Sequence, residues 1–249
     1  MTNKNGNQIA LTRAMIFCAG LGTRFKPWTD KHPKALARVN GKSLLQRNVE
    51  YLQSFGIRDV IVNVHHFADQ IIDAIHANKG WGSHITISDE TDQVLETGGG
   101  LLKARELFLP GEKFITCNVD ILSDLDLHQL IAFHEKRQPL ISFGVTDRKT
   151  SRNFLFDKND RLCGWINNST GEKRISVNAE NLIPKAYSCF VVFDYAVFDL
   201  IPFSGKFSLT DVYLELAKTH SILGFDHSGG RFVDVGKPES IAIAEKLFP

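Results

Sequence analysis

The stretch FCAGLGTRFKPWTDKHPKAL, near the start of the chain, concentrates residue types that bind phosphate groups. Gly20 and Gly22 allow backbone conformations that bring peptide N–H groups close to a ligand, and Thr23 adds a hydroxyl group. Arg24 and Lys34 supply positive charge in the same segment. Glycines, a hydroxyl group and cations directly after an apolar run predict a polyphosphate site.

The residues after the glycines exclude two common phosphate-binding loops. A Walker A loop ends in Gly-Lys-Ser/Thr, whereas Gly22 is followed by Thr-Arg. A dinucleotide-binding fingerprint needs a third small residue where this chain has Phe25. The alternative is a surface turn with solvated charges, and it is disfavoured because two prolines restrict the loop.

Two aspartates follow short apolar segments. Asp120 comes just after the predicted strand FITC, and Asp234 follows Phe232 and Val233. In an open α/β sheet, ligands bind beyond the carboxyl ends of the strands. Two carboxylates can hold one Mg²⁺, or Mn²⁺, in a site completed by water and phosphate oxygens. A turn or cap is the simpler interpretation of either aspartate alone, so the metal site is predicted for the pair.

A second glycine-rich segment is LETGGG, which ends at Gly100. The glycines, Gly98 among them, let a flat nucleobase lie on the backbone, and the Glu96 carboxylate can accept hydrogen bonds from it. Uracil offers one N–H donor, whereas guanine offers two on the same edge. The residue chemistry therefore leaves the base open, and a flexible turn is the alternative.

The elements that must position these residues follow from hydrophobic periodicity. The first half of the chain predicts strands at 14–19, 60–64, 85–88 and 114–118, with helices beginning near residue 44, over 68–77 and after residue 100. After Pro139, short alternating segments predict added antiparallel strands, and helices return at 209–216 and after Pro238. The predicted fold is α/β: a Rossmann-like, mixed, mainly parallel sheet with helices on both faces and an added antiparallel region.

Composition limits the partners and the domain number. The chain has 249 residues, of which 43% are hydrophobic, and we predict a flexible tail over 1–12 and a single catalytic domain over 13–249. Twenty-nine basic and 28 acidic residues give a net charge of +1, so no general attraction to nucleic acid or membrane is expected. Four dispersed cysteines and the lack of an apolar leader predict a cytoplasmic protein, with its oligomeric state left open.

The motifs together resemble a known family. Gly20-Leu-Gly-Thr-Arg24, with Pro27, Thr29 and Pro33-Lys34-x-Leu36, is similar to the signature of nucleoside triphosphate:sugar-1-phosphate nucleotidyltransferases. Further matches are LETGGG, CNVD ending at Asp120, FSLTD and FVDVGKPE. LETGGG with SLTD resembles the N-acetylmuramate-1-phosphate uridylyltransferase branch most, and the mannose-1-phosphate guanylyltransferases next.

The resemblance implies a reaction in which a sugar-1-phosphate attacks the α-phosphorus of a nucleoside triphosphate and pyrophosphate leaves. It implies that Arg24 grips the triphosphate, Lys34 bridges the phosphates of both substrates, and Asp120 with Asp234 holds Mg²⁺. The implied nucleotide-binding residues are Ala19, Gly20, Gly22, Thr23, Glu96 and Gly98. The resemblance favours UTP and N-acetylmuramate 1-phosphate as substrates, while the two donors of guanine, opposite Glu96, lean toward GTP.

Other functions remain open on the sequence. One is a mannose-1-phosphate guanylyltransferase. A catalytically silent, nucleotide-sensing relative would be expected to lack the metal carboxylates or Lys34, which are present. A choline-phosphate cytidylyltransferase would need an aromatic cage around the trimethylammonium group.

The sugar-binding end differs from many relatives. Their Glu-Lys-Pro segment corresponds to a Trp-Ile-Asn-Asn segment that begins at Trp165 and lacks the lysine, and Val119 replaces the glycine before the metal aspartate. The lactyl carboxylate of N-acetylmuramate would call for a nearby cation. Five unranked candidates are Arg148, Lys149, Arg152, Arg174 and Lys185.

Overall fold

The computed structural model describes residues 13–249, and the predicted tail over residues 1–12 lies outside this range. The strands are β1 (Arg13–Phe17), β2 (Arg38–Val39), β3 (Lys42–Ser43), β4 (Asp59–Val64), β5 (His84–Asp89), β6 (Lys113–Asn118), β7 (Ile121–Ser123), β8 (Ile141–Thr146), β9 (Arg152–Phe156), β10 (Leu162–Asn167), β11 (Lys173–Ile175), β12 (Ile183–Asp194), β13 (Ile222–Asp226) and β14 (Phe232–Asp234). The α-helices are α1 (Leu44–Ser54), α2 (Ala68–Ala77), α3 (Glu96–Lys103), α4 (Leu127–Arg137), α5 (Val197–Leu200), α6 (Leu209–Leu216) and α7 (Ser240–Leu247).

The main sheet has a parallel core with antiparallel strands added on one side. Its order is β11-β10-β9-β12-β6-β1-β4-β5, and β8 pairs with both β12 and β13. Strands β6, β1, β4 and β5 are parallel, whereas β12 runs antiparallel to β6, β8 and β9. The predicted mixed sheet with an antiparallel region is confirmed.

Alternating side chains of β1 enter two separate cores. Ala14 and Ile16 pack on the side covered by α1, α2, α4 and α7, while Met15 and Phe17 pack on the side covered by α3, α5 and α6. A strand buried on both faces has no polar side, as its apolar run predicts. The expectation of helices on both faces is therefore confirmed.

Several predicted boundaries agree with the structure. Helices α2 and α6 have the predicted limits, and α1 begins after Ser43, whose hydroxyl accepts a hydrogen bond from the Gln46 N–H at 3.0 Å. The Gln46 side chain donates to Glu50 at 2.8 Å, so it does not reach back to the start of the helix.

The prediction that a helix begins after Gly100 was wrong. Helix α3 begins at Glu96, and all three glycines of LETGGG lie inside it. A Cβ atom at Gly99 would collide with the backbone oxygen of Gly205. These glycines therefore permit close packing of a helix and do not form a flexible turn. The elements that were not predicted are helices α4 and α5 and strands β2, β3, β7, β11, β13 and β14.

None of the helices described between residues 13 and 249 is long and apolar enough to cross a membrane. The four cysteines are free thiols; Cys18, Cys117 and Cys163 are buried and Cys189 is half-buried.

Candidate active site

The loop after β1 is supported by its own side chains. It contains short 3-10 turns at Thr23–Phe25, Trp28–Asp30 and Lys34–Leu36, and Phe25 is buried beneath it. The buried Thr29 hydroxyl donates to the backbone oxygen of Gly22 at 3.0 Å. Gly22 has φ +60°, and an added Cβ would lie 2.9 Å from a Thr29 methyl carbon, so this position requires glycine. The loop thus has one defined shape.

Lys34 and Asp120 form an ion pair at the carboxyl end of the parallel strands. Their side chains are only 15% and 14% exposed. Strand β14 lies antiparallel to β7 with Asp234 opposite Ile121, and the Val235 N–H donates to the Asp120 backbone oxygen at 2.8 Å. This short ribbon places the two predicted metal-binding aspartates side by side, although they are 114 positions apart (234 − 120).

Arg24 approaches the same point from the loop. A Cβ atom built on Gly236 would lie 2.6 Å from Asp234 Oδ1 and 2.9 Å from Arg24 Nη2. Glycine at this position therefore leaves room for both charged groups. The structure brings together all four residues that the sequence assigned to the reacting centre: Arg24, Lys34, Asp120 and Asp234.

The electrostatics of the aspartates suit a divalent cation. Burial of the carboxyl group, followed by the Asp120 charge, raises the pKa of Asp234, although the residue as a whole keeps exposed surface. Arg24 and Lys34 act in the opposite direction. Two neighbouring carboxylates are hard oxygen ligands, and a cation between them relieves their repulsion.

The protein supplies only part of a coordination shell. Among residues 13–249 no cluster of three or more His, Cys, Asp or Glu side chains is placed to hold a metal ion. Mg²⁺ is commonly bound by one or two carboxylates, with water and substrate phosphates completing its octahedron. The pair of Asp120 and Asp234 fits that pattern.

A cavity of about 440 Å³ lies beside this charged centre. Five of the predicted nucleotide-binding residues line it, namely Ala19, Gly20, Gly22, Thr23 and Glu96. A smaller cavity of about 120 Å³ is lined by Lys34 and Asp120, and it shares Phe17, Gly20 and Thr97 with the larger one. The two cavities adjoin at Gly20, which suits a nucleotide whose phosphates reach Lys34.

Gly98 has a different role from the predicted one. Its N–H donates to the backbone oxygen of Phe207 at 3.0 Å, and an added Cβ would lie 2.5 Å from the Phe207 ring. The residue is buried, so its backbone is occupied by packing and is not open to a base. Glu96 does line the larger cavity, but its carboxylate lies 3.6 Å from the ammonium group of Lys206, a partner that the sequence did not predict.

Sequence reasoning missed a buried polar network at the base of the larger cavity. The Asn63 side chain accepts from the Cys18 N–H at 2.7 Å and donates to Glu90 Oε1 at 2.7 Å. Glu90 is fully buried, and its Oε2 has no hydrogen-bond partner among the described residues. Burial raises the pKa of Glu90. The rule that identified Asp120, a polar residue just past an apolar strand, would also have found Glu90, but not Asn63, which lies inside the strand predicted at 60–64.

The sequence of this chain is similar to those of known nucleotidyltransferases. A model of the nucleotidyl transferase family matches residues 13–156. N-acetylmuramate alpha-1-phosphate uridylyltransferase of Caulobacter vibrioides is 43% identical over 109 residues, which are 43% of this chain and 45% of that protein. The catalytic subunit beta of mannose-1-phosphate guanylyltransferase of Drosophila melanogaster is 28% identical over 95% of this chain and 63% of that protein.

A solved structure shares the fold. The structure of HddC from Yersinia pseudotuberculosis superposes with a TM-score of 0.76 at 24% identity, covering 96% of this chain and 100% of that one. The chain matches about half the length of the uridylyltransferases, 45% and 49% in the two bacterial relatives.

Proposed function

This chain belongs to the nucleotidyl transferase family, and on that basis we propose that it transfers the uridylyl group of UTP to N-acetylmuramate 1-phosphate. The products would be UDP-N-acetylmuramate and pyrophosphate. One observation carries the proposal: Lys34 and Asp120 line the smaller of two adjoining cavities at the carboxyl ends of the parallel strands, and Asp234 and Arg24 meet beside them.

The reaction forms one bond and breaks one. A phosphate oxygen of the sugar phosphate attacks the α-phosphorus of UTP, and the bond between the α-phosphorus and its bridging oxygen breaks as pyrophosphate leaves. A phosphate monoester has its second pKa at about 6, so the attacking oxygen is already ionised at neutral pH. No general base is required, and catalysis rests on positioning and on charge neutralisation.

The charged residues divide this work. Lys34 lines the smaller cavity at the junction, so we assign it to the phosphates of both substrates. Arg24 projects from the loop whose glycines line the larger cavity, and we assign it to the triphosphate and the departing pyrophosphate. Asp120 and Asp234 would hold Mg²⁺, which when bound withdraws electron density from the α-phosphate oxygens.

The preference for uridine draws on the similarity to the bacterial uridylyltransferases. Glu96 does not add to it. Its ion pair with Lys206, at 3.6 Å, is exposed and too long for a hydrogen bond, so the carboxylate keeps its capacity to accept from the two N–H donors of guanine.

A second candidate is a mannose-1-phosphate guanylyltransferase. It is favoured by the match to the Drosophila protein over 95% of this chain, against 43% for the Caulobacter uridylyltransferase. By contrast, the Lys34–Asp120 pair argues against a catalytically silent relative. The choline-phosphate alternative is disfavoured because Arg148 covers the face of Phe232, an aromatic ring close to Asp234.

Pyrophosphate release decides between these functions. The assay combines UTP or GTP with N-acetylmuramate 1-phosphate or mannose 1-phosphate, in the presence of Mg²⁺. We expect UTP with N-acetylmuramate 1-phosphate to give the highest kcat/KM. A preference for GTP with mannose 1-phosphate would replace the proposed substrates, and no release with any pair would favour nucleotide sensing.

A further inference from the structure

Arg148 is an ordered guanidinium group close to the reacting centre. Its Nη2 donates to the backbone oxygen of Tyr187 at 2.8 Å, and the guanidinium carbon lies 4.3 Å from the centroid of the Phe232 ring. The residue is half-buried, and its Nε is buried without a hydrogen-bond partner among residues 13–249. A guanidinium fixed on two sides, with donors left over, is suited to binding an anion.

Arg148 lies on the side of the two aspartates that is away from the larger cavity. Phe232 and Asp234 are two residues apart on β14, so their side chains share a face and are about 7 Å apart along the strand. Arg148 stacks on Phe232 and binds the backbone of β12, which pairs with β6 on the side away from β1 and β4. The nucleotide cavity lies over β1 and β4. Arg148 therefore flanks the two aspartates on the side away from that cavity, and we assign this side to the acceptor.

The other candidate cations are placed less suitably. Arg174 is paired with Asp211 at 2.8 Å, and Lys185 is paired with Asp226 at 2.6 Å. Lys149 and Arg152 are exposed. Arg148 differs from all four because its guanidinium group stacks on Phe232, two residues before Asp234 on β14.

We propose that Arg148 binds a carboxylate group of the acceptor sugar and thereby selects an acidic sugar phosphate over its neutral counterpart. This inference rests on the proposed function, because N-acetylmuramate carries a lactyl carboxylate on C3 while its phosphate is on C1. The sugar ring holds the two anionic groups apart, so a second cation beside the metal pair can meet the carboxylate. Partial desolvation strengthens such a charge-assisted hydrogen bond.

The test compares two acceptors that differ only in the lactyl ether: N-acetylmuramate 1-phosphate and N-acetylglucosamine 1-phosphate. The kcat and KM for each, with UTP and Mg²⁺, are measured for the wild type and for Arg148→Met and Arg148→Lys. Acceptor affinity is also measured by calorimetry in the presence of a non-reactive UTP analogue. Arg58→Met makes the same charge change at an exposed residue that precedes β4, at the amino ends of the parallel strands.

Arg148→Met is expected to weaken binding of N-acetylmuramate 1-phosphate about 10- to 100-fold, mainly through KM, which is the usual size of a lost hydrogen bond to a charged group. Binding of N-acetylglucosamine 1-phosphate should change less than about threefold, and Arg148→Lys should be intermediate because it keeps the charge but loses the planar fork. The ratio of the two acceptors within one preparation does not depend on the folded fraction.

Two outcomes separate the inference from the proposed function. Equal losses for both acceptors, in an enzyme whose wild type prefers N-acetylmuramate 1-phosphate, would make Arg148 a counter-ion of Asp234 and overturn the inference alone. A wild type that does not prefer N-acetylmuramate 1-phosphate would overturn the proposed substrate, and the inference with it.

Discussion

The residues of the reacting centre balance one another in charge before any substrate binds. Lys34 and Arg24 carry two positive charges, and Asp120 and Asp234 carry two negative charges when both are ionised. The substrates bring further negative charge on their phosphate groups. The site without substrate has no excess positive charge with which to neutralise it. A metal ion held by the aspartates would supply that charge.

Removing either aspartate should therefore abolish metal-dependent turnover. Asp120→Asn and Asp234→Asn each remove an anionic ligand, and loss of a major electrostatic stabiliser typically costs about 10²- to 10³-fold in rate. Steady-state pyrophosphate release over a Mg²⁺ titration measures the effect. Near-normal turnover in a folded Asp234→Asn protein would show that the metal assignment is wrong.

Arg24 allows catalysis to be separated from stability, because its side chain is exposed on the loop. Arg24→Ala should lower kcat by about 10²-fold, whereas the free energy of unfolding should change by less than about 0.5 kcal/mol, as is usual for surface positions. Lys26→Ala is the matched control, since Lys26 is an exposed cation on the same loop and pairs with Asp30 at 3.0 Å. Parallel losses of stability and activity in Arg24→Ala would assign the residue a structural role.

At the scale of elements, glycines that look alike in sequence serve different purposes. Gly99 lies in α3 against the backbone of Gly205, which cannot yield as a flexible side chain would. Gly99→Ala is expected to destabilise the fold by about 1–3 kcal/mol, the usual cost of overpacking. Gly20→Ala should leave stability nearly unchanged, because nothing lies within 4 Å of its added Cβ. Urea denaturation compares the two, and an unaffected Gly99→Ala would contradict the packing role of the segment.

Glu90 joins strands β4 and β5 to helix α3, and its burial makes stability depend on pH. An added Cβ at Gly100 in α3 would lie 2.5 Å from Glu90 Oε1, which accepts from Asn63 of β4. Burial raises the pKa of Glu90 in the folded state. Its contribution to stability is therefore complete below the unfolded pKa and is lost as pH rises through the folded pKa.

Glu90→Gln should remove this pH dependence. From about pH 4.5 to about pH 8, the free energy of unfolding of the variant should become larger relative to that of the wild type, because only the wild type must ionise a buried carboxyl group. Denaturant titrations at both ends of about this range measure the difference. Glu106→Gln, at an exposed glutamate, serves as the control. A constant difference between variant and wild type at both pH values would rule out a buried ionising group at position 90.

The helices and strands also differ in how well the sequence predicted them. Strong apolar runs and helical periods predicted β1, α2 and α6 closely, because both faces of that strand are buried and both helices have one apolar stripe. Strand β14 has only three residues and is defined by its pairing with β7. Its hydrogen bonds are long-range, so no local signal reveals it. The same limit explains why Arg148 could not be ranked among the candidate cations: its stacking on Phe232 depends on that strand.

For the molecule as a whole the charge is nearly neutral, whereas the proposed site brings Arg24, Lys34 and two aspartates together. The net charge of +1 gives little long-range attraction for a triphosphate, so affinity must come from local groups. The nucleotide cavity is lined by residues of β1, the following loop, β4 and α3, which belong to both cores. Nucleotide bound there would stabilise the packing of the two cores together.

Thermal denaturation should therefore report the base preference without requiring chemistry. A ligand at 100 times its Kd adds about 2.7 kcal/mol to the stability of the folded state, and a weaker ligand at the same concentration adds less. In the presence of Mg²⁺, we expect UTP to raise the Tm more than equimolar GTP does. Asp234→Asn should reduce both shifts by weakening metal-bridged phosphate binding, while leaving the order of the bases unchanged, because Asp234 is not among the residues that line the nucleotide cavity. A larger shift with GTP would contradict the uridine preference at the binding step, and an order that reversed in Asp234→Asn would show that base selection depends on the metal centre.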